Sequence, residues 1–395
     1  MRLRALLPIT VFFMAAAAAA APQLAQFDSL REARAAATAR PADTGALTGL
    51  ANAQIFTGDA AGALATMDRG RMRPGGTPAL SEADRRALDS VQADDAIRMI
   101  VAAARDKRAV LINEDHTVAM HRAFTQKLAV ELRKIGYRYF AAEAFNAPVL
   151  PNGRYLTWRD GYYTRDPVFA GMVRTLQAEG FTLVGYDIEE EDTALSPRER
   201  IAFRERSQAR NIHERIFAQD PDAKVLIHVG HHHLGKRQVG DIKPMGAHLR
   251  ELIGPEATLH IDQLAFYARS AQAAEDPLYR ALLDRHKPAA PMALRQASGA
   301  SASLRGLGGF VDMHILHPDY GLRDGRPAWL SSLAGRTATS VPKALLPQSG
   351  ERLVLAYDRE HGMDAVPVDA LLLTPGAPAP AFMLPPGRFR FEVQQ

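Results

Sequence analysis

Four short apolar runs in this sequence each end in acids or imidazoles. Ala109 to Ile112 (AVLI) leads into Asn113-Glu114-Asp115-His116, RYFAA into Glu143, FTLVGY into Asp187, and KVLIHV into Gly230-His231-His232-His233. Carboxylate with imidazole is the pairing for general-base activation of water, or for holding a metal ion. Glu114 and His116 are two residues apart, so extended backbone turns them to the same side. Glu143 directly follows Phe140-Ala141-Ala142, where an acid is costly unless paired, which marks it for a site. His231, His232 and His233 cannot all face one centre; Gly230 lets the backbone approach closely, and His233 is the favoured member. Asp187 is favoured over Glu189-Glu190-Glu191, which read as a solvated acidic turn. His228 reads as a core histidine. His121, one turn into the following helix, either supports the site or lies on the surface. Arg206, on a long charged helix, is placed to pair with the carboxylates.

The elements that must position these residues alternate. Strands are expected at 109–112, 138–143, 181–187, 224–229 and 258–262, with helices at 117–135, 168–178, 196–217 and 244–253 between them. Ser196-Pro197 with Glu199 reads as a helix start. The strands are continuously rather than alternately apolar, so the expected fold class is α/β, a mainly parallel sheet with helices on both faces. Ala297 to Gly309, rich in Ser, Gly and Ala, reads as a loop, and Gly309 to Pro318 as one more strand. LVLAY, VDALLL and RFRFEV near the C-terminus predict a small antiparallel β-module. Ahead of the sheet, residues 24–92 are Ala-rich and favour helix. Ala46 to Gly70 resembles one tetratricopeptide hairpin, turning at Thr57-Gly58-Asp59. A single hairpin cannot bury its own face, so it reads as a helical cap on the next domain, or else as a surface for a protein partner. Arg71 to Pro78 reads as a loop, and Ser81 to Ala104 as one further helix. The domain boundaries are 1–21, 22–92, 93–320 and 321–395.

Residues 1–21 read as a signal peptide. Arg2 and Arg4 form a basic start, Leu6 to Met14 an apolar run, and the alanines an A-x-A cleavage region before Pro22. The alternative is an uncleaved anchor, against which Pro8 and the weak hydrophobicity of alanine argue. An exported, periplasmic or secreted chain without a membrane span in its mature form is the expectation. The 395 residues carry 48 Lys plus Arg against 44 Asp plus Glu, a net charge of +4, with no basic run interleaved with aromatics, so nucleic-acid binding is not expected. The absence of cysteine excludes thiolate catalysis, disulfides and Cys-ligated zinc.

From Arg108 to Asp262 the sequence resembles the superfamily of erythromycin esterase-like, ChaN-type haem-binding and Tiki/TraB proteins. The strand-GExH-helix-strand-E opening is matched by AVLINEDHTVAMHRAFTQKLAVELRKIGYRYFAAEAF, with Asn113 at the first Gly, and a strand ending in GxxH by Gly230 to His233. VGYD, and RSQARNI from Arg206 to Ile212, resemble the GxD strand and R-x-x-x-x-N helix of the erythromycin esterase-like branch. The resemblance implies functional roles for Glu114, His116, Glu143, Arg206 and His233. Its members include water-activating esterases, divalent-metal proteases and haem binders. The leading expectation is a hydrolase cleaving an ester or amide of a small-molecule or peptide substrate. His116 or His233 would take a proton from water and Arg206 would stabilise negative charge. Glu114 and Glu143 would orient the imidazoles, or a divalent metal would sit on Glu114, His116, His233 and Asp187. The alternatives are a periplasmic haem or metal carrier without catalysis, and an interaction protein working through its N-terminal helices.

Overall fold

The computed structural model describes residues 26–72, 79–150, 153–188, 193–298, 300, 302, 304 and 309–395. The segment expected to be a signal peptide and the acidic run 189–192 lie outside these residues, as do most of the loops expected at 71–78 and 297–309.

The chain opens with helices α1 (Gln26–Ala39), α2 (Thr44–Phe56) and α3 (Ala60–Asp68). The expected hairpin is α2 and α3: Asp59 caps α3 by accepting the Gly62 N–H, and Gly58 turns the chain at φ +80°. After α4 (Glu82–Ser90) comes strand β1 (Val91–Asp95), then α5 (Ala96–Ala104). The single helix expected over 81–104 is thus cut by a strand, and the boundary at 92/93 falls inside it. No Gly or Pro announces the break. Tertiary pairing imposes it, because β1 completes a sheet edge and Val91 enters the core. Asp95 then restarts the helix by accepting the Arg98 N–H at 2.7 Å.

The central domain continues as β2 (Ala109–Glu114), α6 (Ala119–Arg133), β3 (Tyr139–Ala142), α7 (Pro167–Ala178), β4 (Thr182–Gly185) and α8 (Pro197–Ile212), which runs into a π-type turn at His213–Phe217. It then passes through β5 (Val225–Gly230), α9 (Met245–Ile253), β6 (Thr258–Phe266), α10 (Pro277–His286), β7 (Met292–Gln296) and β8 (Met313–Leu316). The expected start of α8 is realised as a capping box between Ser196 and Glu199. The fold is α/β: one 8-stranded sheet in the order β1-β7-β8-β6-β2-β5-β3-β4. Every neighbouring pair from β8 to β4 is parallel, and only β7 runs against the rest. The central strands are buried on both faces. Val110, Ile112 and Phe140 pack beneath α5, α6 and α7, while Leu111, Ala141 and Ile227 pack against α8 and α9.

The C-terminal part supplies β9 (Leu322–Arg323), β10 (Arg326–Pro327), α11 (Trp329–Ser332), β11 (Thr337–Thr339), β12 (Arg352–Asp358), β13 (Asp369–Leu373), β14 (Phe382–Leu384) and β15 (Phe389–Gln394). The expected antiparallel module is β13-β12-β15, with β11-β14 beside it. It does not stand apart from the N-terminal helices. Phe27 of α1 is fully buried with Leu353, Leu355 and Tyr357, and its N–H donates to Gln394 Oε1 at 3.0 Å. Asp68, at the end of α3, is 1% exposed and accepts the Ser270 N–H and the Arg269 Nε–H at 2.8 Å each. Helical segment, sheet and β-module therefore share continuous contacts, and among the described residues no helix is long and apolar enough to cross a membrane.

Removing the Phe27 ring empties a space between α1 and the β-module. Phe27→Ala is expected to cost about 3–5 kcal/mol and to lower a single cooperative unfolding transition, read by calorimetry. A separate early transition for the helices, with the rest unshifted, would contradict a shared unit.

Candidate active site

Because β5 inserts between β2 and β3, the carboxyl ends of these three strands lie side by side. Glu114 is paired in register with Gly230, and the Glu143 N–H donates to His228 O at 3.3 Å. Ligands in open parallel sheets bind where strand order reverses beyond the carboxyl ends, and this is that place.

Glu114 is 1% exposed and its two oxygens are fully used. Oε1 accepts from His116 Nδ1 at 2.8 Å and Arg122 Nη2 at 3.0 Å, and Oε2 from Arg122 Nε at 2.7 Å. Arg122, on the buried stripe of α6 with Thr125, Ala129 and Leu132, is completely enclosed. Its Nη1 donates to Asp166 Oδ2 at 2.8 Å, and Asp166 in turn caps α7 through the Val168 and Phe169 N–H groups. Burial works to raise the Glu114 pKa, but Arg122, then His228 and His116, hold it well below the usual range. An ionised Glu114 only accepts, so His116 Nδ1 is the donor of this bond and Nε2 is the ring nitrogen turned away from it.

The His116 ring is clamped. Tyr163 stacks on it at 3.9 Å between centroids and 12° between planes. Tyr162 lies edge-on to Tyr163 at 5.1 Å, and Phe56 of α2 edge-on to Tyr162 at 5.4 Å. The N-terminal hairpin therefore reaches the His116 imidazole through three rings. On the other side Gly230 leaves the space the ring uses: a Cβ there would lie 2.6 Å from His116 Nε2 and 2.9 Å from Glu143 Oε2.

Glu143 accepts the Gly230 N–H on Oε2 and Arg204 Nη2 on Oε1, both at 2.6 Å. Burial opposes its charge, but His233, Arg204 and His116 keep it ionised far below the normal carboxyl range. His233 Nε2 stands 3.7 Å from Glu143 Oε1, while Nδ1 bonds Glu205 Oε1 at 2.6 Å. Burial alone would lower the His233 pKa; Glu205 and then Glu143 overcome this and raise it to about 9. At neutral pH His233 is a cation.

Glu114, His116, Glu143 and His233 are thus gathered at one rim, as expected. The guanidinium is not Arg206, which is exposed on α8. Arg204 fills the role, bridging Glu143 and Asp187. Two residues along a helix is a rotation of about 200°, so Arg206 projects from the opposite side of α8. Asn211 of that spacing does contribute, donating to Tyr186 O at 3.0 Å. Asp187 belongs to this network, accepting from Arg204 Nε and Gln208 Nε2 at 2.9 Å each. Glu205 and Arg122 were not singled out from sequence; the available signal was a charged residue on the inward stripe of each helix. His228 is buried as expected, with Nε2 3.5 Å from Glu114 Oε2, and burial drops its pKa to about 4. His121 is buried, not superficial: its Nδ1 accepts the Asp115 N–H at 3.1 Å. Asn113, at the motif glycine position, is a strut. It donates to His231 O at 3.0 Å and Asp262 Oδ1 at 2.8 Å, and accepts the Gln263 N–H at 2.9 Å.

The metal set fits poorly. Every oxygen of Glu114 and Asp187 already faces a guanidinium. Among the described residues no group of three or more His, Asp or Glu is arranged to hold an ion. Of the neighbouring imidazoles, His231 lies edge-on to His116 at 5.7 Å between centroids, and His232 lies against Phe310 at 6.2 Å.

No family model and no curated protein matches this chain. Among solved structures, the type III effector HopBA1 matches at 15% identity, over 48% of this chain and 91% of that one, with a TM-score of 0.29. A score that low carries no argument about fold or activity.

Two substitutions separate packing from charge. Gly230→Ala is expected to displace the His116 ring and depress any turnover while leaving the circular dichroism spectrum and melting temperature near wild type. Arg122→Ala strands Glu114 and Asp166 as buried, unpaired acids and is expected to cost about 3–5 kcal/mol, measured by urea unfolding.

Proposed function

We propose that this chain is an exported hydrolase of the erythromycin esterase-like, ChaN and Tiki/TraB superfamily, cleaving an ester or amide by activating water. One observation carries the reading: two carboxylate–histidine dyads, Glu114–His116 and Glu205–His233, face each other across Glu143, and the second imidazole is held as a cation. The roles left open by the sequence then separate. A cationic His233 has no lone pair to accept a proton, so His116 Nε2 is the base.

In the forward step His116 Nε2 takes a proton from water as its oxygen bonds to the acyl carbon, and the carbonyl electrons move to oxygen. The C–O or C–N bond then breaks as the carbonyl re-forms, and His233 gives its proton to the departing alcohol or amine. The products are a carboxylic acid and an alcohol or amine; solvent reprotonates His233 and removes the proton from His116. Arg204 and the Gly230 N–H hold Glu143 in place between the two imidazoles. Positioned base catalysis contributes about 10²–10⁴-fold.

His116→Ala and His233→Ala are each expected to remove nearly all turnover of activated esters or amides in a substrate panel, with folding intact by circular dichroism. Wild-type rates in both would dismiss the assignment. Chelator should leave the rate unchanged, and loss of activity restored by added metal would favour the metal-assisted alternative. The pH profile carries a separate expectation. Because the His233 pKa is raised from 6.5 to about 9, its cation persists through neutrality and activity falls as pH rises through 9. The same group contributes stability in full below pH 6.5 that is lost as pH rises through 9. Glu205→Gln removes the foremost stabilising charge and should move the alkaline limb to lower pH.

A further inference from the structure

Away from this rim, α7 meets the β-module over Gly171 and Arg174, one turn apart, facing Arg336 just ahead of β11. Arg336 is 4% exposed and spends its donors on carbonyls, Nη1 on Val368 O at 2.9 Å and Nη2 on Pro167 O at 2.7 Å. Arg174 Nη2 is buried with no hydrogen-bond partner. Both guanidinium ends converge above Gly171. A Cβ there would be 2.7 Å from Arg336 Nη2 and 3.6 Å from Arg174 Nη2, so only a glycine leaves this space open.

Other buried arginines of this protein have an acid of their own: Arg122 has Glu114 and Asp166, Arg326 has Asp369, and Arg269 has Asp68. Among the described residues neither Arg174 nor Arg336 has one. The acids near them make their closest contacts with other groups. Asp369 faces Arg326 at 2.8 Å, Asp166 faces Arg122 at 2.8 Å, and Asp358 accepts the Glu360 N–H on Oδ1 at 3.0 Å. Asp358 favours the Arg174 charge, and Asp369 and Asp166 that of Arg336, but none is in ion-pair contact, so the two like charges repel and lose hydration together. A buried donor without a partner calls for a missing acceptor.

We propose that Arg174 and Arg336 hold a small tetrahedral oxyanion, of the phosphate or sulfate class, at the junction of α7 with the β-module. Arginine's planar fork suits such an ion, because each guanidinium can present parallel N–H groups to two of its oxygens. The ion would supply the acceptor that Arg174 Nη2 lacks and cancel the repulsion with Arg336. Burial, and next the charge of Arg336, lower the Arg174 pKa to about 9 in its absence. Arg174 is half-buried and His361, stacked on Tyr155 at 4.6 Å, borders the same region, so the ion has a route from solvent.

The test is calorimetric titration of the full chain with inorganic phosphate, and separately with sulfate, against chloride at equal ionic strength. Saturable one-site binding of either oxyanion, weakened at least tenfold in both Arg174→Ala and Arg174→Gln, is the expected result. Arg210→Ala, which removes an exposed charge of α8, should bind as wild type does. Absence of saturable binding in the wild type, or equal binding in the Arg174 variants, overturns the proposal. Because Arg174 makes no bond that folding needs, the variants are expected to melt no lower than wild type without the ion.

Discussion

The site depends on a guanidinium that water never touches. Arg122 lies between Glu114 and Asp166 with all three side chains enclosed, so it joins the end of β2, the interior of α6 and the first turn of α7 at one point. Desolvating three charges is expensive, and such a triad is a poor source of net stability compared with packed hydrocarbon. It gives direction instead. With both oxygens of Glu114 committed, the His116 ring has one permitted tautomer and one permitted orientation, and its second nitrogen is left unsatisfied where strand ends β2, β3 and β5 meet.

A second network answers the first across the crossing of the strands. Arg204 ties Glu143 to Asp187, and Glu205, the next residue of α8, turns to the neighbouring imidazole and makes it a cation. Adjacent residues on one helix thus serve two different partners because α8 passes directly over the ends of β3, β4 and β5. The two dyads differ for a local reason: the Glu114 charge is shared with a buried arginine, whereas the Glu205 charge is spent on the Met245 N–H and His233.

The sheet was legible in the sequence because its strands are buried on both faces and read as unbroken apolar runs between helical periods. The convergence of Glu114, His116, Glu143 and His233 was legible for the same reason, since acids at the ends of such runs have nowhere to go but the rim. What the sequence concealed is rotational and long-range. Arg206 in place of Arg204 is an error of facing on a helix whose surface is charged all round. β1 was hidden in helix-favouring residues because its partner, β7, lies two hundred residues further on in sequence and supplies the pairing that local preference does not. Arg122 was passed over because a charge on an apolar stripe is normally solvated, and only the fold reveals the two acids waiting for it.

The meeting of α1 with β15 has a consequence for how the polypeptide matures. Phe27 is covered by Leu353, Leu355 and Tyr357, and its N–H reaches Gln394, so this seam joins residues more than three hundred positions apart. Closing so long a loop is entropically costly, so contacts across this seam form after the local ones of the helices and the sheet.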